Sequence, residues 1–155
     1  MHGAVGRFLS LDNADQRLLL RAIVWLAGVD VALRFARYRQ RMDLARPGGI
    51  LLDYVPAAEE LDRALRYAHW IDIAARHHVV RARCLHRSLV LHHWLCRDGL
   101  PSDLRIGVRK KAGLLQAHAW VELGGRILSD SPLAVATFSR LAPAGDTVSS
   151  LAPNA

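Results

Sequence analysis

The chain has 155 residues, 52% of them hydrophobic and 23% charged, proportions that supply one ordinary domain with a core and exclude a disordered or low-complexity polypeptide. Its 21 basic and 14 acidic residues leave a formal charge of +7, and every basic residue except Lys110 and Lys111 is an arginine, the side chain suited to two-pronged contact with carboxylate or phosphate. Two cysteines, Cys84 and Cys96, exclude a disulfide framework.

The first residues, 1–10, read as a tail without the apolar core or small-residue cleavage pattern of a signal peptide, so a reducing cytoplasm is the expected setting. Ser10 or Asp12 is placed to cap a helix beginning near Ala14, with Asp15 in its first turn. Leu18, Leu19, Ala22, Ile23, Leu26 and Ala27 repeat at three- and four-residue spacing, and the pattern passes Gly28 to Phe35. Arg21 and Asp30 interrupt this apolar stretch, so no integral membrane segment is expected. Arg34, Arg37, Arg39, Arg41 and Arg46 make the next stretch strongly basic; this reads as a solvated face, with an acidic partner as the rival reading and nucleic acid not expected. Arg46-Pro47-Gly48-Gly49 stops the helix, and a second runs from Ala57 to about His77 with Leu61, Leu65, Ala68, Ile71 and Ala75 on one stripe.

A third helix is predicted over 83–97, stopped by Asp98-Gly99. Beyond Pro101 the period shortens to two, with Leu104, Ile106 and Val108 alternating with Arg105, Gly107 and Arg109. Residues 110–113 turn the chain, 116–123 form the next strand, Gly124-Gly125 turns it again, and 126–129 return to deliver Asp130. Residues 142–155 read as a flexible tail. Helices followed by an antiparallel meander indicate an α+β fold, one domain over 1–155 with a helical part (11–80) and a core (81–140) in which a helix packs on a small sheet.

Chemistry concentrates at Cys84, in the first turn of the third helix, where unpaired N–H groups and positive potential favour a thiolate. Arg81, Arg83 and Arg87 flank it in sequence and are expected to favour the thiolate further. Cys96 sits at the opposite end and should be inert. His118, within Ala117-His118-Ala119-Trp120-Val121-Glu122, is a base in an otherwise apolar strand, and Trp120 and Glu122 share its face. Asp130 is the carboxylate available to orient the ring; along the strand Glu122 lies too far from it. A regular two-residue turn at Gly124-Gly125 would set Asp130 opposite Ala119, on the wrong face, so a bulge or odd loop is expected there. Small Ala117 and Ala119 leave room for a substrate chain, and Trp120 is a candidate groove wall or a packing residue. His92 and Cys96 lie one turn apart, but no Cys-x-x-Cys or His-Glu-x-x-His is present, so no metal is expected. Gly48-Gly49 and Gly124-Gly125 lack the context of a phosphate loop, and no cofactor is expected.

The stretches 83–89, 104–109 and 117–122 together resemble the transglutaminase-like leader peptidases of lasso-peptide biosynthesis, in the stand-alone peptidase form, with the similarity covering roughly 81–132. The resemblance implies a papain-like core with Cys84, His118 and Asp130 as a triad, and removal of a leader from a ribosomally made precursor peptide. It also implies a separate leader-binding recognition protein as partner, with the lasso cyclase as a further one. Leu19 and Ile23 on the first helix are candidates for contacting that partner. Two rivals stand beside this reading: an acyltransferase or deamidase of transglutaminase type, and a non-catalytic adaptor using the arginine-rich helix.

Overall fold

The first helix begins where the Asp12 carboxylate accepts a hydrogen bond from the Asp15 N–H at 2.6 Å, which satisfies one of the backbone donors that a helix start leaves free. In the computed structural model, which describes residues 10–35, 54–77 and 84–141, this helix, α1, spans Asn13–Phe35. The second, α2 (Ala58–His77), opens with a similar device: the Glu60 carboxylate accepts from the Ala57 N–H and the Tyr54 hydroxyl, both at 2.8 Å. Helix α3 covers Cys84–Arg97. It closes with Gly99 at φ 76° and the Leu100 N–H bonded back to the Leu95 carbonyl at 2.9 Å, a left-handed stop that glycine permits.

Alanines let the helices approach closely. Ala22 and Leu26 of α1, Ala64, Ile71 and Ala74 of α2, and Val90, Leu91, Trp94 and Leu95 of α3 form one buried core, in which each large side chain contributes roughly 1.5–3 kcal/mol. Asp15, beyond its place in the first turn, ties α1 to α2 by accepting from the Trp70 indole at 2.7 Å and from Arg66 at 2.6 Å. Leu19 is partly buried against this core, and Ile23 is 39% exposed. Arg37, Arg39, Arg41 and Arg46, and the tail over 142–155, lie outside the described residues. Arg34 is ion-paired with Asp30 at 2.7 Å.

The sheet contains β1 (Ser102–Lys111), β2 (Leu114–Leu123), β3 (Arg126–Ile127) and β4 (Ser139–Arg140) in the order β3-β2-β1-β4, all pairs antiparallel. A one-turn helix, α4 (Pro132–Val135), precedes β4. The mixed helical and antiparallel architecture is the one expected. On one face Leu104, Val121 and Leu123 join the helical core. The other face carries Asp103, Arg105, Gly107 and Arg109 opposite Glu122, Trp120, His118 and Gln116, and the segment 132–140 covers it. That cover, with Phe138 and Val135, was not anticipated: its strand is two residues long and its helix four, too short to imprint a period on the sequence.

The hairpin after β2 is regular, contrary to the odd register expected. Glu122 pairs with Ile127 and Leu123 with Arg126 across Gly124 and Gly125, whose φ values of 53° and 75° suit a primed two-residue turn. The returning strand is also shorter than the stretch 126–129 foreseen. After Leu128 donates to the Val121 carbonyl at 3.0 Å, residues 128–130 bend out of the ladder. A regular register therefore does not commit Asp130 to the wrong face.

Gly107 marks the packing of the covered face. A Cβ there would stand 2.9 Å from both the Trp120 ring and the Phe138 Cβ, closer than packed atoms tolerate. Gly107→Ala is expected to lower stability by about 1–3 kcal/mol, measured by urea unfolding, with Phe138 displaced from the sheet; an unchanged midpoint would contradict this packing.

Candidate active site

The end of β3 creates the site. Had the ladder continued one more pair, the Asp130 N–H would have bonded the Ala119 carbonyl; instead the Ser88 hydroxyl of α3 donates to that carbonyl at 2.9 Å. A buried carbonyl left without a partner is costly, so the bond joins the helix to the β2 edge beside His118. The same bend brings Asp130 round, and its Oδ2 lies 3.3 Å from His118 Nε2. Both side chains keep nearly a fifth of their surface, 19% and 18%, so the pair is reachable from solvent. With Nε2 turned to the carboxylate, Nδ1 is the nitrogen left for a reacting group.

Cys84 opens α3, one turn before Ser88 and on nearly the same side. Farther along, His92 Nδ1 meets the Ser102 hydroxyl at 2.9 Å, and Ser102 pairs with Leu123. These two contacts make α3 and β2 run in the same direction, with Ser88 at Ala119 and His92 near Leu123. Stepping back one turn, about 6 Å at 1.5 Å per residue, sets Cys84 level with Ala117 and His118 along the free edge of β2, since a strand advances about 3.3 Å per residue, while the His118 side chain itself projects to the covered face. Cys84 is partly exposed and its thiol free.

Three consecutive residues hold this end of the helix in three directions. His86 Nε2 lies 3.4 Å from Asp30 of α1, Arg87 pairs with Asp72 of α2 at 2.6 Å, and Ser88 holds β2. Arg87 therefore spends its charge on Asp72 rather than on the thiol, contrary to the sequence expectation; Arg81 and Arg83 lie outside the described residues.

The His118 ring stacks on Phe138, centroids 5.2 Å apart at 30°, and on Trp120 at 6.2 Å and 20°. Trp120 is fully buried, so it packs behind the histidine and does not wall an open groove. Its indole N–H donates to Glu122 at 2.8 Å. Glu122, 4% exposed, also meets Arg140 at 2.9 Å and Arg105 at 3.5 Å, the pairing that a buried carboxylate needs. Ala119 is buried as well, whereas Ala117 is exposed and remains available to a substrate chain. Phe138 and Ser88 were missed in the sequence. Ser88 had a signal, a hydroxyl on the side of α3 that faces the sheet, one turn from the cysteine.

At the other end of α3, Cys96 Sγ lies 3.7 Å from His92 and 3.8 Å from Ser102. Among the described residues no group of three His, Cys, Asp or Glu side chains is arranged to hold a metal ion. Burial pushes the His92 imidazole below the usual histidine range, against a smaller opposing pull from Asp103. The unfolded chain therefore takes up this proton first as pH falls, near about 6.5. The stability contributed by His92 is present above that pH and is lost as pH falls towards the folded value. Thermal unfolding followed between about pH 7.5 and 5 should show a declining midpoint in the wild type and a shallower decline in His92→Gln; identical slopes would remove His92 as the source.

A family model described as the transglutaminase-like superfamily matches residues 25–142. No curated protein and no solved structure matches the chain.

Proposed function

We propose that this chain, which belongs to the transglutaminase-like superfamily, is a cysteine peptidase that removes the leader from a ribosomally made lasso-peptide precursor. Domains of this superfamily are typically cysteine peptidases or acyltransferases. The observation that carries the catalytic reading is the His118–Asp130 pair, 3.3 Å apart, on the strand edge to which Ser88 fastens the cysteine-bearing helix. The choice of precursor rests on the resemblance of 83–89, 104–109 and 117–122 to leader peptidases.

In this mechanism Cys84 loses its proton to His118 Nδ1 and the sulfur attacks the carbonyl at the leader–core junction. The imidazolium, held by Asp130 through Nε2, returns the proton to the departing amine as the C–N bond breaks. Water, deprotonated by His118, then releases the leader from the thioester and the thiol is restored. The Cys84 N–H, in the first turn of α3, is the natural donor to the oxyanion. A separate leader-holding protein, and the cyclase that takes the freed core, are the partners this role requires. No helix among the described residues is long and apolar enough to cross a membrane, and the free thiols suit action in a reducing cytoplasm.

Incubation with the precursor encoded nearby, with and without the leader-holding protein, should give two fragments by mass spectrometry. Cys84→Ala should abolish cleavage, His118→Ala should lower it by at least about 100-fold, and Asp130→Asn should also lower it. A mass change of one unit in an intact chain, or a crosslinked product, would instead establish the deamidase or acyltransferase reading. Cleavage undiminished in Cys84→Ala would remove the peptidase.

A further inference from the structure

Three arginines lie on the covered face of the sheet or along its edge, and their partners differ. Arg105 pairs with Asp103 and Glu122, and Arg140 pairs with Glu122. Arg109 has no carboxylate partner among the described residues, yet it is the most firmly aimed of the three. Its Nε donates to the Gln116 side chain at 2.9 Å, its Nη1 donates to the Thr137 hydroxyl at 2.8 Å, and its guanidinium carbon lies 4.3 Å above the centre of the Phe138 ring. All three partners are neutral. A guanidinium fixed on three sides, with no carboxylate partner among the described residues, has already lost the rotamer freedom that anion capture would cost, and its remaining nitrogen has no hydrogen-bond partner among those residues.

The position matters as much as the charge. Phe138 is the ring on which His118 stacks, so Arg109 is one aromatic ring away from the imidazole. On β1 it stands one same-face position beyond Gly107, the residue paired with His118. Gln116 and Thr137 are exposed and Arg109 is half-buried, so the cation sits at the open rim of the site. The shared Phe138 ring, 4.3 Å from the guanidinium carbon and 5.2 Å from the imidazole, keeps cation and imidazole within reach of a few residues of extended chain, at about 3.3 Å each.

We infer that Arg109 is a substrate-recognition residue, which binds the carboxylate of an acidic side chain two or three residues from the bond that is cut. This deepens the peptidase reading and rests on it for the word substrate; carboxylate recognition at the rim beside Phe138 and His118 stands without it. A structural purpose for Arg109, pinning Phe138 through the cation–π contact, uses one face of the guanidinium and leaves unexplained why it has no carboxylate partner among the described residues.

The test uses matched probes rather than the natural precursor. Acetyl-peptides of glycine and alanine carrying one Glu, or one Gln at the same place, are titrated into full-length Cys84→Ala protein and followed by NMR. The same sequences, bearing an iodoacetyl group zero, one, two or three residues from the Glu or Gln, are used to alkylate Cys84 in the wild type. At one spacing the Glu probe should bind, and label Cys84, about 10-fold or more better than its Gln twin, the scale of a charge-assisted contact. Arg109→Gln should make the twins equal, and Arg109→Lys should keep part of the preference, since the charge survives and the fork is lost. Glu and Gln probes within twofold of each other at every spacing, or a preference that persists in Arg109→Gln, would overturn the inference. Failure of precursor cleavage with the Glu preference intact would instead count against the peptidase reading alone.

Discussion

A single backbone carbonyl organises this molecule. Where β3 leaves the ladder, the Ala119 oxygen has no strand to bond, and the Ser88 hydroxyl takes the place that the Asp130 N–H would have filled. A buried oxygen demands a partner, so a helix must lie at that edge, and it is the helix that Cys84 opens. The departure that frees the oxygen also releases Asp130 to reach His118. Positions of the cysteine-bearing helix, the imidazole and the carboxylate thus share one cause, a strand that stops after Ile127.

The two faces of the sheet divide the remaining work. The helix-facing side supplies cohesion, with Val121 and Leu123 completely buried against α3. The other side gives orientation: Glu122, compensated by Arg140 and Arg105, fixes the Trp120 indole, and the His118 ring stacks with both Trp120 and Phe138. An imidazole stacked against two aromatic rings keeps few ring orientations, and pre-set orientation is what the proposed proton transfer requires. Gly107 is the condition of that packing, because any Cβ there would collide with the Trp120 ring and the Phe138 Cβ.

Much of this was legible in the sequence, and the misses have physical reasons. Helices of 14 to 23 residues carry their period plainly, and the start at Asp12 and the stop at Gly99 are written in residue chemistry. The shared face of His118, Trp120 and Glu122 followed from strand alternation. Register failed where the prediction carried the ladder on to Asp130; strand length depends on what competes for the edge, and Ser88 is 31 positions away from Ala119. Arg87 was assigned to the thiol by proximity in sequence, but a carboxylate on another helix, Asp72, outbids it. Phe138 and its short strand were invisible because their order comes from Trp120, Gly107 and His118 rather than from any pattern of their own.

The claim on which catalysis depends is that the Cys84 sulfur and the His118 imidazole exchange a proton directly at this edge. Alkylation by iodoacetamide at neutral pH, resolved by peptide mass spectrometry, measures it, with Cys96 in the same chain as the internal reference. The account predicts that His118→Ala slows Cys84 at least about 10-fold, the lower part of the range for a positioned base, while the Cys96 rate holds. A Cys84 rate that is the same with and without the imidazole would contradict it.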